Sequence, residues 1–209
     1  MNDEQFKFFF ELMPEERQKK VMRYVRAEDR KLCVAAYALL DYALSLKGYK
    51  TADYRFCENE TGKPYLENLP LRFNISHSSD VVACIVSQTE VGVDVQKKVS
   101  EYKNVMRRVY CKNEIDLVLD SKTPVDDFTM LWALKESYVK CIGTGISDMI
   151  AEYDFSSVVK ENEGRAYGYE FTALDCGEYV LAVCSSQMPK NIKKLSASEL
   201  YNFRRVKNV

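Results

Sequence analysis

The sequence predicts an α+β protein in which helices and strands are mixed along the chain. In each half, segments with a helical spacing of apolar residues precede segments that alternate or run apolar like strands. Apolar residues make up 46% and charged residues 29% of the 209 residues, a composition typical of a globular protein. A chain of this length buries enough surface to hold a core without disulfides or a metal.

Two helices are predicted first. Residues 14–26 start with a proline and two glutamates, which suit the first turn of a helix, and continue with an apolar stripe. Residues 28–46 contain the run LCVAAYALL, which is apolar on nearly all sides, as in a helix buried against a sheet. This region carries seven basic side chains: Arg17, Lys19, Lys20, Arg23, Arg26, Arg30 and Lys31. Such a cluster is typical of a solvated helix face, although it also suits a phosphate pocket.

Short strands are predicted after a loop-rich segment at 49–70, which holds the turn sequence TGKP at 61–64. The strands are at 72–76, 81–87 and 91–96. In the last of them, VGVDVQ, the valines share one face of the strand. Asp94 and Gln96 therefore project together from the opposite face.

The second half predicts helices and then strands again. The helices are at 101–110, 113–120 and 126–142, and the sequence GTG ends the last of them. The strands are at 152–159, 166–174 and 179–186, and a short helix and a tail follow at 189–209. The runs VVACIVS at 81 and YVLAVCSS at 179 are similar, but such runs are common in buried strands and do not by themselves indicate a repeat.

Composition excludes several classes of function. The net charge of −1 argues against general nucleic-acid binding, for which a basic domain is expected. A single histidine, His77, excludes histidine-rich zinc sites and mechanisms that need two histidines. No apolar run reaches the ~18 residues that span a membrane, and the N-terminus lacks the pattern of a signal peptide. Seven cysteines without a CxxC pair predict buried reduced thiols, so we expect a cytoplasmic protein.

Four ionisable residues are candidates for chemistry, and each also has a purely structural explanation. His77, in FNISHSS, either contacts a phosphate together with the adjacent serines or lies in a surface turn. Asp94 lies in an apolar strand, where a carboxylate has to be paired, protonated or bound to a cation. Glu136 and Lys140 are four residues apart on a helix, and they form either an ion pair or part of a magnesium-phosphate site.

Four motifs occur in order along the chain: GKP at 62–64, FNISHS at 73–78, VGVDVQ at 91–96 and LWALKESYVKCIGTGI at 131–146. Together they resemble the surfactin-type 4′-phosphopantetheinyl transferases. The pattern of that family runs GKP, a strand ending in SHS, G-[IV]-D-[IV]-E, and W-x-x-K-E-[SA]-x-x-K-x-x-G-x-G. The last motif here has the KES form of one branch. The resemblance extends more loosely from PEER at 14 to the C-terminal strands.

The resemblance implies that the chain transfers the 4′-phosphopantetheine arm of coenzyme A to a serine hydroxyl of an apo acyl, peptidyl or polyketide carrier protein. Mg²⁺ is the implied cofactor and adenosine 3′,5′-bisphosphate the by-product. The implied fold has two similar α/β halves, 1–98 and 99–209, related by a pseudo-twofold axis with the site between them. We expect a monomer with no nucleic-acid or membrane partner. The alternative is a catalytically silent module that binds coenzyme A or the carrier, and a third reading is a nucleotide phosphohydrolase.

The resemblance also assigns the metal and catalytic residues. Asp94 and Glu136 match the metal ligands, and Glu136 matches the base that takes the proton of the serine hydroxyl. Lys140 matches a lysine near the pyrophosphate, where it neutralises charge on the leaving phosphate. Many members have a second acid two residues after the aspartate, whereas this chain has Gln96. We expect the Gln96 amide to ligate the metal weakly or to hold a water.

A further set of residues is assigned to contacts with coenzyme A: Lys63, Pro64, Ser76, His77 and Lys140, and more loosely Arg30 and Lys31. In this set, His77 matches a position at the 3′-phosphate, and Lys63 and Pro64 match the loop that flanks the nucleotide. Glu114, in YCKNE, matches an acidic position often found after the metal strand.

Overall fold

The computed structural model describes residues 1–50, 53–60, 62–145, 148–189 and 191–207. Thr61 of the predicted TGKP turn, Ile146 of the last motif and parts of the predicted C-terminal tail lie outside these residues. The fold is a mixed α/β arrangement of helices and antiparallel sheets, as the sequence predicts. None of the described helices is both long and apolar enough to cross a membrane.

Helices form the N-terminal part of the chain: α1 (Asp3–Leu12), α2 (Glu15–Met22) and α3 (Ala27–Ser45). Helix α1 was not predicted from the sequence. Asn2 begins it with a capping box, in which the Asn2 side chain accepts from the Gln5 amide and the Gln5 side chain accepts from the Asn2 amide. The Gln5 side chain also donates to Ser198 of α8 (Ala197–Lys207), which brings the two ends of the chain together.

The first half contains β1 (Phe56–Glu58), β2 (Pro64–Leu66), β3 (Arg72–Ser78) and β4 (Val81–Ser87). Strands β3 and β4 form an antiparallel hairpin that packs against α3, close to the predicted bounds. The segment 49–70, predicted to be rich in loops, also contains β1 and β2, which were not predicted and which pair with each other. Strands of three residues are too short to show an alternating pattern in the sequence. Their formation depends on the pairing of β1 with β2 across the hairpin.

The second half contains a larger sheet in the order β5-β8-β7-β6, antiparallel throughout. Its strands are β5 (Val91–Lys97), β6 (Glu163–Ala166), β7 (Tyr169–Asp175) and β8 (Tyr179–Ser185). The associated helices are α4 (Lys103–Val109), α5 (Lys112–Asp120), α6 (Pro124–Ile142) and α7 (Ser156–Glu161). Helix α6 lies across β5 and β8 and buries Leu131, Ala133 and Leu134 in the core of this half.

The prediction of a strand at 152–159 was wrong. A short 3-10 helix, Asp148–Glu152, and α7 occupy this stretch instead. The side chain of Asp154 accepts from the Ser156 amide and supports the first turn of α7, while Val158 and Val159 are buried. A helix of six residues has too few turns to show a helical period in the sequence.

Polar side chains of β3 connect the β3–β4 hairpin to the four-stranded sheet. The Val93 amide of β5 donates to Asn74 Oδ1 of β3 at 2.9 Å, and the Lys97 amide donates to Ser78 Oγ at 3.0 Å. The Asn74 and Ser78 side chains thus accept hydrogen bonds from backbone amides of β5 that β8 does not reach. Although the predicted division at residue 98 places β5 in the first half, β5 pairs with β8 of the second. The division and its pseudo-twofold axis stay predictions.

Candidate active site

Asp94 is the centre of a buried polar cluster in which β3, β5 and α6 meet. Its side chain is almost fully buried, on the face of β5 opposite the valines. Asp94 Oδ1 accepts from Ser76 Oγ at 2.6 Å and from Lys140 Nζ at 2.5 Å. Lys140 also donates to Ser76 Oγ at 3.0 Å. Ser76, Asp94 and Lys140 therefore form a closed hydrogen-bonded triangle in which the Asp94 carboxylate is ion-paired.

Helix α6 places Glu136 and Lys140 one turn apart on the side facing β5. It begins with Pro124 in its first turn and ends at Gly143, which adopts the left-handed conformation (φ 76°). Of the two alternatives for Glu136 and Lys140, the ion pair between them is not formed, because Lys140 pairs with Asp94 instead.

Gly92 sets how closely α6 approaches β5. A Cβ at this position would lie 2.6 Å from the Cys141 amide nitrogen and closer still to the Ser137 carbonyl oxygen. Both contacts are with the backbone of α6, so a side chain would force the helix away from the strand. The glycine two residues before Asp94 therefore permits the contact between Asp94 and Lys140.

Among the described residues, Asp94 Oδ2 and Glu136 Oε1 are buried and have no hydrogen-bond partner. Burial raises the pKa of Glu136, the nearby charge of Asp94 raises it further, and Lys140 opposes the rise. Unpaired buried carboxylate oxygens are costly, and a hard divalent cation such as Mg²⁺ binds such oxygens. Asp94 and Glu136 thus fit the predicted metal site. Gln96 is half-buried two residues further along β5.

A basic cleft of about 440 Å³ lies between α2 and the β1–β2 hairpin. Four basic side chains line it: Arg17, Lys20, Arg23 and Arg55. Within the described structure, Arg17 Nε is buried without a hydrogen-bond partner, while the guanidinium lies 4.6 Å from the centre of the Phe56 ring. These features suit a phosphate-bearing ligand. Arg55 was not predicted as a site residue, because the pairing of β1 and β2 brings it to the cleft.

The structure does not bring all of the predicted coenzyme A residues to this cleft. Pro64 lines it, but Arg30 and Lys31 do not. Arg30 Nε donates to the Tyr24 carbonyl, and Lys31 pairs with Asp3 of α1 at 2.8 Å. The roles of Arg30 and Lys31 stay predictions.

His77 and Lys63 lie in different environments, because His77 is exposed whereas Lys63 is mostly buried. His77 is exposed on the face of β3 opposite Ser76. Lys63 is mostly buried and pairs with Glu90, and its Nζ donates to the Cys141 carbonyl at 3.0 Å.

Glu114 is structural. It is fully buried, pairs with Lys135 at 2.8 Å, and accepts from the Cys111 and Phe155 amides at 3.0 Å each. Burial raises its pKa although the positive charge of Lys135 opposes the rise. Cys111 and Asp154 lie beside it, but the Glu114 oxygens already have partners, so we assign no metal to this cluster.

Comparisons with known proteins cover both halves of the chain. A family model described as the 4′-phosphopantetheinyl transferase superfamily matches residues 90–184. A second, described as the N-terminal part of a 4′-phosphopantetheinyl transferase, matches residues 2–90. The two matches meet at residue 90, immediately before β5.

Several curated relatives are similar over much of their length. The 4′-phosphopantetheinyl transferase Sfp of Bacillus subtilis is 27% identical over 96% of this chain and 95% of its own length. The 4′-phosphopantetheinyl transferase ffp of Bacillus subtilis is 32% identical over 73% of this chain and 74% of its own length. The corresponding enzyme gsp of Aneurinibacillus migulanus is 32% identical over 68% of this chain, and the match spans 60% of that relative.

Proposed function

Because the chain belongs to the 4′-phosphopantetheinyl transferase superfamily, we propose that it transfers the phosphopantetheine arm of coenzyme A to a serine hydroxyl of an apo carrier protein. The observation that carries this proposal is the buried cluster of Ser76, Asp94 and Lys140 beside Glu136, with two carboxylate oxygens that have no partner within the described ranges. The basic cleft supports it, since its arginines and lysine suit the phosphates of coenzyme A.

Asp94 and Glu136 are the proposed ligands of Mg²⁺, through the two oxygens that are otherwise unpaired among the described residues. Gln96 is a third candidate, as its half-buried amide lies on the same face of β5 as Asp94. When bound, Mg²⁺ supplies positive charge against the pyrophosphate of coenzyme A.

Glu136 and Lys140 carry the proposed chemistry of the protein itself. The serine oxygen of the carrier forms a bond to the phosphorus next to the pantetheine, while the bond from that phosphorus to the bridging oxygen breaks. Adenosine 3′,5′-bisphosphate leaves with the electron pair of that bond. Glu136 Oε2 accepts the serine proton. Lys140 offsets the negative charge that develops on the leaving phosphate.

The cleft residues Arg17, Lys20, Arg23 and Arg55 are proposed to bind the nucleotide end of coenzyme A. Pro64 lines the same cleft, in agreement with its predicted place beside the nucleotide. Exposed at the end of β3, His77 is accessible to the 3′-phosphate, its proposed ligand.

Helix α4 is the proposed docking surface for the carrier protein. It begins shortly after β5, the strand that carries Asp94, and exposes Lys103, Arg107, Arg108 and the apolar Val105. Within the part of the chain that the structure describes, these three cations have no ion-pair partner, whereas many other surface lysines do. Carrier proteins are generally acidic around the modified serine, so unpaired cations beside an apolar side chain suit them.

All seven cysteines lie within the described residues and are free thiols. This supports the proposed cytoplasmic location, because reducing compartments keep thiols free. The proposed oligomeric state is the monomer, and neither a nucleic acid nor a membrane is a proposed partner.

The decisive experiment incubates the protein with coenzyme A, Mg²⁺ and a panel of apo carrier proteins from fatty-acid, peptide and polyketide synthesis, followed by intact-mass measurement. We expect at least one carrier to gain the mass of one phosphopantetheine. Unchanged carriers together with bound coenzyme A would instead indicate a silent binding module. Release of adenosine bisphosphate without any carrier would indicate a phosphohydrolase.

A further inference from the structure

Lys63 leaves the loop that precedes β2 and ends against the C-terminal turn of α6. Its Nζ donates to the Cys141 carbonyl at 3.0 Å and to Glu90 Oε2 at 3.2 Å. Its Cδ lies 3.5 Å from the position that a Cβ of Gly143 would take, so the stem covers the end of the helix. One side chain therefore connects the β2 loop, the turn before β5 and the end of α6.

The hydrogen bond from Lys63 to the Cys141 carbonyl is of a kind that stabilises the C-terminal end of a helix. The last carbonyls of a helix lack partners within the helix, and a cation there also favours the negative end of the helix dipole. Glu90 is itself fixed from the other side, because Arg72 Nε donates to its Oε1 at 2.7 Å. Burial acts to raise the pKa of Glu90, but hydrogen bonds and charges from Lys63 and Arg72 outweigh it and keep that pKa below its ordinary value.

The end of α6 is also the part of the helix that carries the site. Cys141 follows Lys140 directly, and the Cys141 amide is one of the groups that packs against Gly92. The helix end is thus held between Gly92 of β5 on one side and Lys63 on the other. A shift of this turn changes the position of Lys140 relative to Asp94, and with it the distance between Asp94 and Glu136.

We propose that Lys63, held by Glu90, is a positioning residue that fixes the end of α6 and so places Glu136 and Lys140 against Asp94. This role differs from the nucleotide contact that the sequence resemblance implies, and it rests on the proposed function because it concerns the same site. Lys63 acts through the helix, and its ammonium group is already occupied by Glu90 and the Cys141 carbonyl.

The test compares Lys63→Met, which keeps an apolar stem over Gly143, with Lys63→Arg, which keeps the charge. Lys160→Met is the control, since Lys160 is exposed on α7 and makes no hydrogen bond to α6, Glu90 or Lys63 within the described structure. Each variant is assayed with coenzyme A and with dephospho-coenzyme A, which lacks the 3′-phosphate. Mn²⁺ binding to the protein without substrate, followed by electron paramagnetic resonance, reports on Asp94 and Glu136 independently of turnover.

For Lys63→Met we expect a fall in kcat of roughly tenfold to a hundredfold, as misplacement by ~1 Å produces. Mn²⁺ binding should weaken in parallel, and the preference for coenzyme A over dephospho-coenzyme A should stay unchanged. Lys63→Arg should retain most of both properties, and Lys160→Met should resemble the wild type.

A rise in KM confined to coenzyme A, with kcat and Mn²⁺ binding intact, would show instead that Lys63 binds the 3′-phosphate and would overturn the proposal. Failure of the proposed function has a different signature, because the wild-type protein itself would then modify no carrier protein.

Discussion

Lys140 reaches from α6 to Asp94 on β5, with 2.5 Å between Nζ and Oδ1, and leaves Glu136 one turn earlier without an ion pair among the described residues. The single lysine therefore neutralises one of two neighbouring buried carboxylates. Burial and then the nearby charge of Asp94 raise the pKa of Glu136, while Lys140 opposes the rise. Two carboxylates that share one lysine suit a bound cation.

Replacement of Glu136 tests its role as the base. We expect Glu136→Gln to lower turnover by about 10²–10⁴-fold, because the amide cannot accept the serine proton. Coenzyme A binding, measured by calorimetry, should persist, since the cleft that binds the nucleotide is separate from α6. Glu161→Gln, an exposed glutamate at the end of α7, is the control and should behave as the wild type. Turnover that survives nearly intact in Glu136→Gln would contradict the assignment.

Replacement of the only histidine separates binding from chemistry. His77→Ala should raise KM for coenzyme A by roughly tenfold, the value of one hydrogen bond to a charged group at ~1.5 kcal/mol. The effect should shrink with dephospho-coenzyme A, because the proposed contact is with the 3′-phosphate. Because His77 is exposed, the thermal stability should not change. A large loss of kcat at saturating coenzyme A would show that His77 takes part in the transfer step.

Gly92 offers a test of the close approach of α6 to β5. Gly92→Ala places a methyl group against the Ser137 carbonyl and the Cys141 amide, so we expect a loss of about 1–3 kcal/mol in the free energy of unfolding and a strong loss of activity. Gly164→Ala is the matched control in the same sheet, since its added Cβ meets only the side chain of Val158, at 3.3 Å, and the Val158 backbone at 3.8 Å. Both variants are measured by urea unfolding and turnover. Equal effects of the two substitutions would contradict the conclusion that Gly92 sets how closely α6 approaches β5.

The buried pair of Glu114 and Lys135 predicts a pH dependence of stability. Lys135→Met leaves the Glu114 carboxylate buried without its cation, and we expect a loss of about 3–5 kcal/mol at neutral pH. The pKa of Glu114 is already raised in the folded protein, and the substitution raises it further. The folded state then binds more protons than the unfolded chain, so this contribution to stability falls as the pH rises above the ordinary glutamate pKa of ~4.3.

Urea unfolding of Lys135→Met at acid and at neutral pH checks this sign. The variant should recover part of its stability at acid pH relative to the wild type. Adding Glu114→Gln to Lys135→Met removes the titrating group and should abolish that recovery. A loss in the free energy of unfolding that is the same at both pH values would mean that the loss comes from packing alone.

Charge reversal on α4 tests the proposed docking surface. The double variant Arg107→Glu and Arg108→Glu should raise KM for the carrier about tenfold, with a weaker dependence on salt, because the steering charges are lost. KM for coenzyme A should not change. Lys160→Glu, an exposed lysine on α7, reverses a charge elsewhere and should leave both KM values as they are. A carrier KM unaffected by the double variant would place the docking surface away from α4.

Long elements with a strong apolar pattern were predicted well from sequence. Helices α3 and α6 and strands β3, β4 and β5 lie within a few residues of their predicted bounds. The errors concern short elements, namely β1, β2, β6 and α7. Helix α1 was also missed, although Asn2 and Gln5 have the spacing of a capping box.

The order and spacing of the motifs determined the family, the kind of reaction and the residue types Asp94, Glu136 and Lys140. Only the tertiary structure decided their partners. It joined Lys140 to Asp94 rather than to Glu136, turned Lys63 toward the end of α6, and gave Glu114 the buried lysine of the last motif. The physical reason is that periodicity specifies which face of an element a side chain occupies. The group opposite that face is set by packing between segments far apart in the chain.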